Sequence, residues 1–382
     1  MRAALSTTAS TARRDDGSRL RLQAVAAPGP ISEAADLYAL PLGLTGGVAA
    51  EALLTSGTGW PRGGGAFAAI EIVVRRRDHV EVAALARPAL EAWASGLPLP
   101  VSRRLEALLS AITRPDAEPC RIMGVVNVTP DSFSDGGDFG TVAAALAHGV
   151  RLAEAGADII DVGGESTRPG ALPIDPADEI ARAIPVVRGL AQRGIAVSID
   201  TRNAATMAAA LAAGAAMIND VSALAHDPGS MAVAARATVP VVLMHTQGDP
   251  RTMQANPCYD AAPLDVFDAL AARVEACVAA GIARSRLIVD PGIGFGKTVG
   301  HNLELIARLG VLHGLGCGVL LGASRKSFIA RLSRGEPPKE RLAGSLAVAL
   351  RGIEEGCAWV RVHDVAETVQ ASRVRDSVTH AC

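Results

Sequence analysis

From Arg121 to the C-terminus, short apolar runs alternate with longer Ala-rich stretches whose apolar residues recur at helical spacing. The runs are Arg121–Asn127, Asp158–Val162, Ala196–Asp200, Met217–Asp220, Val239–His245, Leu287–Asp290, Gly318–Gly322 and Trp359–Arg361. They read as strands buried on both faces, as in a parallel sheet. Between them the helical period fits Val142–Ala155, Pro176–Arg193, Ala204–Ala213, Gly229–Arg236, Pro263–Ala280, Leu303–Arg308 and Leu342–Glu355, and Val365–Asp376 closes the series. Eight strand–helix units in unbroken alternation predict a (β/α)8 TIM barrel. A doubly wound sheet rarely needs so many.

The front of the chain has a different character. Residues 1–37 are expected to be a disordered tail. Its first 22 residues are rich in Arg, Ser and Thr, as a transit peptide would be, but Asp15 and Asp16 interrupt them and no apolar stretch follows. Residues 38–115 predict a small α/β appendage. Its expected elements are a helix over Ala49–Leu54, a loop at Pro61–Gly65, a strand over Ala66–Val74 and a helix over Glu81–Ser95. The triplet Arg75-Arg76-Arg77 reads as a solvated strand end. The boundary falls near Arg114-Pro115, which leaves 116–382 for the barrel.

Composition narrows the class. A net charge of −2 argues against a partner with a dense negative charge, either nucleic acid or a membrane surface. The 49% hydrophobic content with only 3% aromatics suits helices packed on buried parallel strands. Six cysteines show no CxxC spacing and no Cys/His cluster, which fits a reduced, cytoplasmic chain. No window is apolar for the roughly 18 residues a membrane helix needs.

In a (β/α)8 barrel the chemistry sits where the strands end. Here those ends are polar: Asn127, Asp200, Asn219-Asp220, His245, Asp290, and Arg361 with His363. Glu165-Ser166-Thr167-Arg168 and Ser324-Arg325-Lys326 follow the second and seventh strands. Each has a structural explanation taken alone. Asp200 or Thr201 could cap a helix, Asp290-Pro291-Gly292 could be a turn, Asn219-Asp220 could cap a loop, His245 could be a packed histidine, and Glu165 could orient its loop. Together, carboxylates, an amide and cations at one mouth cost too much to bury without a polar ligand.

The group types suggest two kinds of ligand surface. Asp200, Asn219 and Asp290 suit a flat heterocycle with several N–H donors, with Lys326 against a ring acceptor and Met244 and Phe295 on its faces. Arg168, Arg361, His363, Ser166 and Thr167 suit an anion with many oxygens, such as a diphosphate. Asn127 is a hard oxygen that would serve Mg2+ carried by such an anion. The glycines of Gly292–Lys297 form no Walker motif; they let backbone approach a flat ligand or simply make a flexible loop.

The stretches Ile122–Gly137, Asp158–Gly170, Val197–Thr201, Ile218–Asp220, Asp290–Lys297, Ser324–Lys326 and Arg361–Asp364 carry a resemblance to the dihydropteroate synthases. The resemblance spans 122 to about 376 and excludes everything before about 118. It implies a cytoplasmic homodimeric TIM barrel of folate biosynthesis whose partners are small-molecule substrates. Such an enzyme joins 6-hydroxymethyl-7,8-dihydropterin diphosphate to p-aminobenzoate, releasing diphosphate and 7,8-dihydropteroate. By motif, Asp200, Asn219, Asp290 and Lys326 would hold the pterin. Asn127 would contact Mg2+, and Thr167, Arg168, Arg361 and His363 the diphosphate. Phe133, Thr167, Pro169, Phe295 and Ser327 would shape the p-aminobenzoate pocket, for which sulfonamides compete in that family. The catalytic set would be Asn127, Thr167, Arg168, Lys326, Arg361 and His363.

The resemblance also implies a dissociative, SN1-like substitution, with loops Asp131–Phe139 and Ser166–Leu172 expected to close over diphosphate. Two other readings compete. A methyltetrahydrofolate–corrinoid methyltransferase shares the pterin acids and amide but needs neither the Ser-Thr-Arg-Pro-Gly loop nor the Arg361/His363 pair. A non-catalytic pterin-binding subunit would be suspected had the anion residues been missing.

Overall fold

The structure is a computed structural model that describes residues 17–114, 118–128, 137–165, 174–248 and 252–379, with 137–141 described as backbone only. The front unit runs β1 (Arg21–Ala24), β2 (Asp36–Leu42), α1 (Gly47–Thr55), β3 (Trp60–Arg62), β4 (Gly65–Phe67), β5 (Ala69–Arg75), β6 (His79–Ala86), α2 (Arg87–Ala94) and α3 (Leu99–Ile112). The second unit alternates β7 (Arg121–Asn127), α4 (Gly137–Glu154), β8 (Ile159–Gly163), α5 (Pro176–Ala191), β9 (Val197–Asp200), α6 (Ala204–Ala212), β10 (Met217–Asp220), α7 (Ser230–Arg236), β11 (Val241–Met244) and α8 (Ala262–Ala279). It continues with β12 (Leu287–Asp290), α9 (Val299–Ala307), β13 (Gly318–Leu321), α10 (Ser327–Leu332), α11 (Leu342–Glu354), β14 (Trp359–Val362) and α12 (Val365–Thr379). Strands β7 to β14 close into one parallel barrel, each beside its neighbour in sequence, with β14 returning to β7. The predicted barrel is therefore present, and its strand ranges match within two residues at each end.

Period two decides what each barrel residue does. One parity faces the helices: Ile160 and Val162, Val197 and Ile199, Val241 and Leu243, Leu287 and Val289 join the large outer core. The other parity faces inward. Met123, Ile159, Met217, Val242, Ile288, Leu320 and Trp359 form a separate apolar plug across the barrel floor. The Arg121 guanidinium covers the Trp359 ring at 4.2 Å.

The front unit is an α/β appendage, as expected, but several of its elements differ. Its sheet has the order β1-β6-β5-β2. The expected tail at 1–37 is ordered from residue 17: β1 lies parallel on β6, and the Arg76 guanidinium donates to the Gly29 and Pro30 carbonyls. Because all four β1 side chains are exposed, no apolar pattern marks the strand. Residues 1–16 lie outside the described residues. The expected helix Glu81–Ser95 is instead strand β6 followed by α2, and Pro88 in the first turn of α2 marks the true start. The expected loop Pro61–Gly65 is the hairpin of β3 and β4.

Beyond the exposed strand β1, the reason for these differences is that the sheet is buried on both faces. Leu37, Ala39, Ile70, Ile72, Val74, Ala83 and Leu85 pack toward α3. Tyr38, Leu40, Val73 and Val80 pack on the barrel. Alternation with polar residues is then lost. Arg75, expected in solvent, reaches the barrel instead: it pairs with Asp265 at 3.0 Å and Asp268 at 3.1 Å, beside the Tyr38 ring. Arg76 pairs with Glu81 at 2.7 Å, and only Arg77 is exposed.

A buried arginine pins the appendage to the barrel. Arg62 Nη1 donates to the Ile112 carbonyl at 2.7 Å, and Nη2 donates to His313 Nδ1 at 2.7 Å. His313 Nε2 donates to the Glu355 carbonyl at 2.6 Å. Burial and the nearby Arg62 charge push the His313 pKa down to about 3, so the ring is neutral and its tautomer is set by these two bonds. Arg62→Ala would leave His313 Nδ1 and the Ile112 carbonyl unpaired. We expect a loss of about 2–4 kcal/mol in urea unfolding, from two orphaned buried groups; a loss under about 1 kcal/mol would mean that the contact does not pin the two units.

Candidate active site

Two residues above the apolar plug, the inward parity turns polar on four strands, with Met244 and Gly322 on two others. From Ile159 the step leads to Asp161, from Met217 to Asn219, from Val242 to Met244, from Ile288 to Asp290, from Leu320 to Gly322 and from Trp359 to Arg361. Register ties the upper rim together: Asn127 lies opposite Gly163, Gly163 opposite Asp200, Asp200 opposite Asn219, and Met244 opposite Asp290. A cavity opens there, lined by Asp200, Asn219, Val221, Met244, Asp290, Phe295, Gly322, Ser324, Lys326, Arg361 and His363. Eight of these were candidates from sequence.

The centre of the site is a charge cluster. Arg361 Nε donates to Asp161 Oδ2 at 2.7 Å, and Nη2 donates to Asp200 Oδ2 at 2.9 Å. Asn219 Nδ2 donates to the same Asp161 oxygen at 2.9 Å, which leaves its carbonyl oxygen for the cavity. Burial works against the Arg361 charge, but Asp161 and Asp200 outweigh it and hold its pKa above the ordinary value. Burial pushes the Asp200 carboxyl up, with Arg361 opposing. Asp161 Oδ1 and Asp200 Oδ1 are buried with no hydrogen-bond partner among the described residues. Such orphaned acceptors suit a ligand that brings donors.

Opposite this cluster, Asp290 Oδ1 accepts from the Gly292 amide at 2.7 Å, and burial raises the carboxyl's pKa against the pull of Lys326. Lys326 donates to the Ile293 carbonyl and lies 4.6 Å from the Phe295 ring centre. Burial draws its pKa down to about 8, with Asp290 opposing. Arg325 before it adopts φ 59 and pairs with Asp364, a backbone twist outside the common regions. His363 Nδ1 lies 3.1 Å from Ser324 Oγ.

The remaining strand-end candidates divide. His245 turns away from the cavity: its Nδ1 faces buried Lys297 at 2.9 Å, and burial takes its pKa down to about 3, so it is a packed structural histidine. Asp220 caps its own loop by accepting from the Ser222 and Leu224 amides. Glu165 holds Arg202 through two bonds, at 2.8 and 3.0 Å. Asn127 is half-buried on the β7 rim, and Ser327 is exposed at the start of α10; neither lines the cavity. Phe133, Thr167, Arg168 and Pro169, and the two loops expected to close, lie outside the described residues apart from the 137–139 backbone, which is helical. Sequence reasoning missed Asp161 as a site residue, although its place two steps above Ile159 would have marked it.

The family model of the pterin binding enzymes matches residues 123–363. The dihydropteroate synthase of Escherichia coli strain K12 is 45% identical over 261 residues, covering 68% of this chain and 92% of that protein. The structure of Xanthomonas albilineans dihydropteroate synthase with 4-aminobenzoic acid superposes with a TM-score of 0.65 at 49% identity, covering 69% of this chain and 94% of that one. The structure of the same organism's enzyme in complex with 7,8-dihydropteroate superposes with a TM-score of 0.63 at 46% identity, with the same coverage.

The charge cluster makes a prediction about stability that needs no ligand. Arg361→Met leaves two buried carboxylates without their counter-charge, and we expect a loss of about 3–5 kcal/mol at pH 8. Asp200 is already raised above the ordinary carboxylate range, and without Arg361 it rises further. A carboxyl raised in the folded state stabilises the fold when protonated, and that stability is lost as pH rises through its folded pKa. The defect should therefore shrink at pH 5, as followed by urea unfolding at both pH values. A defect equal at pH 5 and pH 8 would mean that the cluster is not coupled in this way.

Proposed function

The chain belongs to the pterin-binding enzyme family, on its dihydropteroate synthase branch, and from that premise we propose how its own residues carry the reaction. It condenses 6-hydroxymethyl-7,8-dihydropterin diphosphate with p-aminobenzoate to give 7,8-dihydropteroate and diphosphate, and so is a transferase of folate biosynthesis. The observation that carries the residue assignments is the polar ring two steps above the apolar plug, with its two orphaned carboxylate oxygens.

The pterin edge carries several N–H donors. We assign them to Asp290, Asp200 and the Asn219 carbonyl oxygen, whose direction is set by the Asn219 amide bond to Asp161. Lys326 faces the ring's acceptor side, and Met244 and Phe295 flank its plane. Arg361, His363 and Ser324 lie on one side of the cavity and take the diphosphate, joined by Thr167 and Arg168 on the strength of the family motif. Phe133, Pro169, Phe295 and Ser327 are assigned to the p-aminobenzoate pocket on the same ground.

The chemistry asks little proton transfer of the protein. The leaving diphosphate needs its charge neutralised, and the exocyclic methylene can carry positive charge next to an electron-rich ring, so a dissociative SN1-like path fits. The attacking aromatic amine is already neutral at pH 7 and needs no strong base. The residues act by positioning and by charge. Among the described residues no three His, Cys, Asp or Glu side chains gather as a metal cage. Asn127 offers one hard oxygen on the rim, which suits an Mg2+ that keeps waters and phosphate oxygens as its other ligands. Such an ion would supply further charge neutralisation for the diphosphate. The family motifs also support a homodimer in the cytoplasm; among the described residues no helix is long and apolar enough to cross a membrane.

Two outcomes are expected. With Mg2+, diphosphate should be released only when both the pterin diphosphate and p-aminobenzoate are present, measured by a coupled phosphate assay. Methyl transfer without diphosphate, or no turnover, would sink the synthase reading. Second, Lys326 is protonated below about pH 8 and loses its charge above it. The kcat/KM for pterin diphosphate should fall as pH rises past about 8, and Lys326→Arg should remove that limb. A profile flat to pH 9.5 would take Lys326 out of pterin binding.

A further inference from the structure

Helix α8 caps itself only in part: Asp265 in its first turn accepts from the Asp260 and Ala261 amides at 2.8 and 3.0 Å, which leaves the Ala262 amide. Its N-cap residue, Ala261, has no side-chain acceptor, yet the first amides of a helix need partners. Ser18 supplies one from far away in the chain: the Ala262 amide donates to Ser18 Oγ at 2.6 Å. Ser18 also donates from its amide to Glu304 Oε1 of α9 at 2.9 Å, and from its hydroxyl to Glu304 Oε2. The Arg19 and Leu20 amides then donate to the Tyr259 and Asp260 carbonyls at 3.1 and 2.7 Å. Gly17 runs so close to Glu304 that a Cβ there would lie 2.6 Å from Oε1. Residues 17–20 thus join α8, α9 and the chain that enters α8.

That chain reaches the wall of the cavity. Tyr259 is buried, and its hydroxyl donates to the Gly296 carbonyl at 2.8 Å. Gly296 follows Phe295, the aromatic wall. The loop around them contains Gly292, Gly294 and Gly296 at φ 67, 83 and 59, so its own backbone preferences do not select one path. It is held from outside: Gln254 donates to the Gly294 carbonyl at 2.6 Å, Lys297 to the Phe295 carbonyl at 2.9 Å, and Lys326 to the Ile293 carbonyl. Tyr259 is the holder whose own backbone is tied to residues 17–20.

We propose that Ser18–Leu20 form a strap that positions the aromatic wall of the pterin site, acting through α8 and Tyr259 on Gly296 and Phe295. Ser18 is then a positioning residue, drawn from a part of the chain outside the family match at 123–363. The proposal rests on the pterin reading of the cavity. A wall that shifts weakens the hold on the ring more than it slows loss of diphosphate, so the effect falls on the KM for pterin diphosphate.

The test uses the full chain with Ser18→Ala, Ser18→Thr, Tyr259→Phe and the Ser18→Ala/Tyr259→Phe double variant. Ser18→Ala should raise the KM for pterin diphosphate about tenfold with kcat within about twofold, and Ser18→Thr, which keeps the hydroxyl, should restore it. Tyr259→Phe should act in the same direction, and the double variant should fall short of the product of the two effects, because both act on one path. Hydrogen exchange across 291–298 should speed up in Ser18→Ala without any substrate. An unchanged KM, independent multiplicative effects, or unchanged exchange across that loop would overturn the strap. Exchange is read without turnover, so a wild-type chain lacking the coupled reaction would refute the function while the strap was still judged.

Discussion

A guanidinium held between two buried carboxylates is the constraint on which the barrel mouth depends. Arg361 bridges Asp161 and Asp200. Asp161 sits fully buried just above the apolar plug. Removing these charges from water costs several kcal/mol each, and only close pairing offsets it. The pairing is incomplete, because one oxygen of each carboxylate has no partner among the described residues. The cluster is stable enough to stay in place and unsatisfied enough to favour a ligand rich in N–H donors. It also orients what surrounds it: Asn219 gives its amide hydrogen to Asp161 and must present its carbonyl to the cavity.

Much of this was legible because a barrel strand has only two faces. Once the apolar runs were placed, the polar residues at their ends had to lie at one mouth, and eight of the sequence candidates do line one cavity. Asp161 escaped because it lies inside an apolar run rather than at its end; the pairing of Asp161 with Arg361 spans 200 residues, and no local pattern reports it. His245 and Asp220 also sit at strand ends, and the structural readings offered for them hold, since an end residue of the outward parity, or one just past the strand, can turn to a neighbour such as Lys297 or cap its own loop. Ser327 came by motif and Asn127 by its strand end as well, and neither signal gives a residue's distance from the cavity.

The appendage was read poorly for a physical reason. Sequence periodicity works when one face of an element meets water. The front sheet has α3 on one face and the barrel on the other, so Ala66–Val74 alternates only loosely and reads as one strand where β4 and β5 stand, and β6 could pass for a helix. Charged residues gave no help, because Arg62 and Arg75 are placed by partners on the barrel, His313 in one case and Asp265 and Asp268 in the other. An arginine triplet next to a strand normally marks solvent. Here one member anchors one unit to another.

The site thus combines two kinds of order. The floor and the charge cluster are built on strands, whose register leaves little freedom: Asp200 and Asn219 are fixed against each other by the ladder itself. The aromatic wall is built on a loop with three left-handed glycines, a segment that ladder bonds do not reach. A ring-shaped ligand needs both, since hydrogen bonds to its edge specify it only if a face holds it in plane. Rigidity for that wall must come from side chains reaching in from other elements, among them Tyr259, Gln254, Lys297 and Lys326. Each reaches a different carbonyl of the same short segment. The precision of the ring site is therefore shared among parts of the chain that touch no ligand, and a change far from the cavity can act on binding by loosening one of those holds.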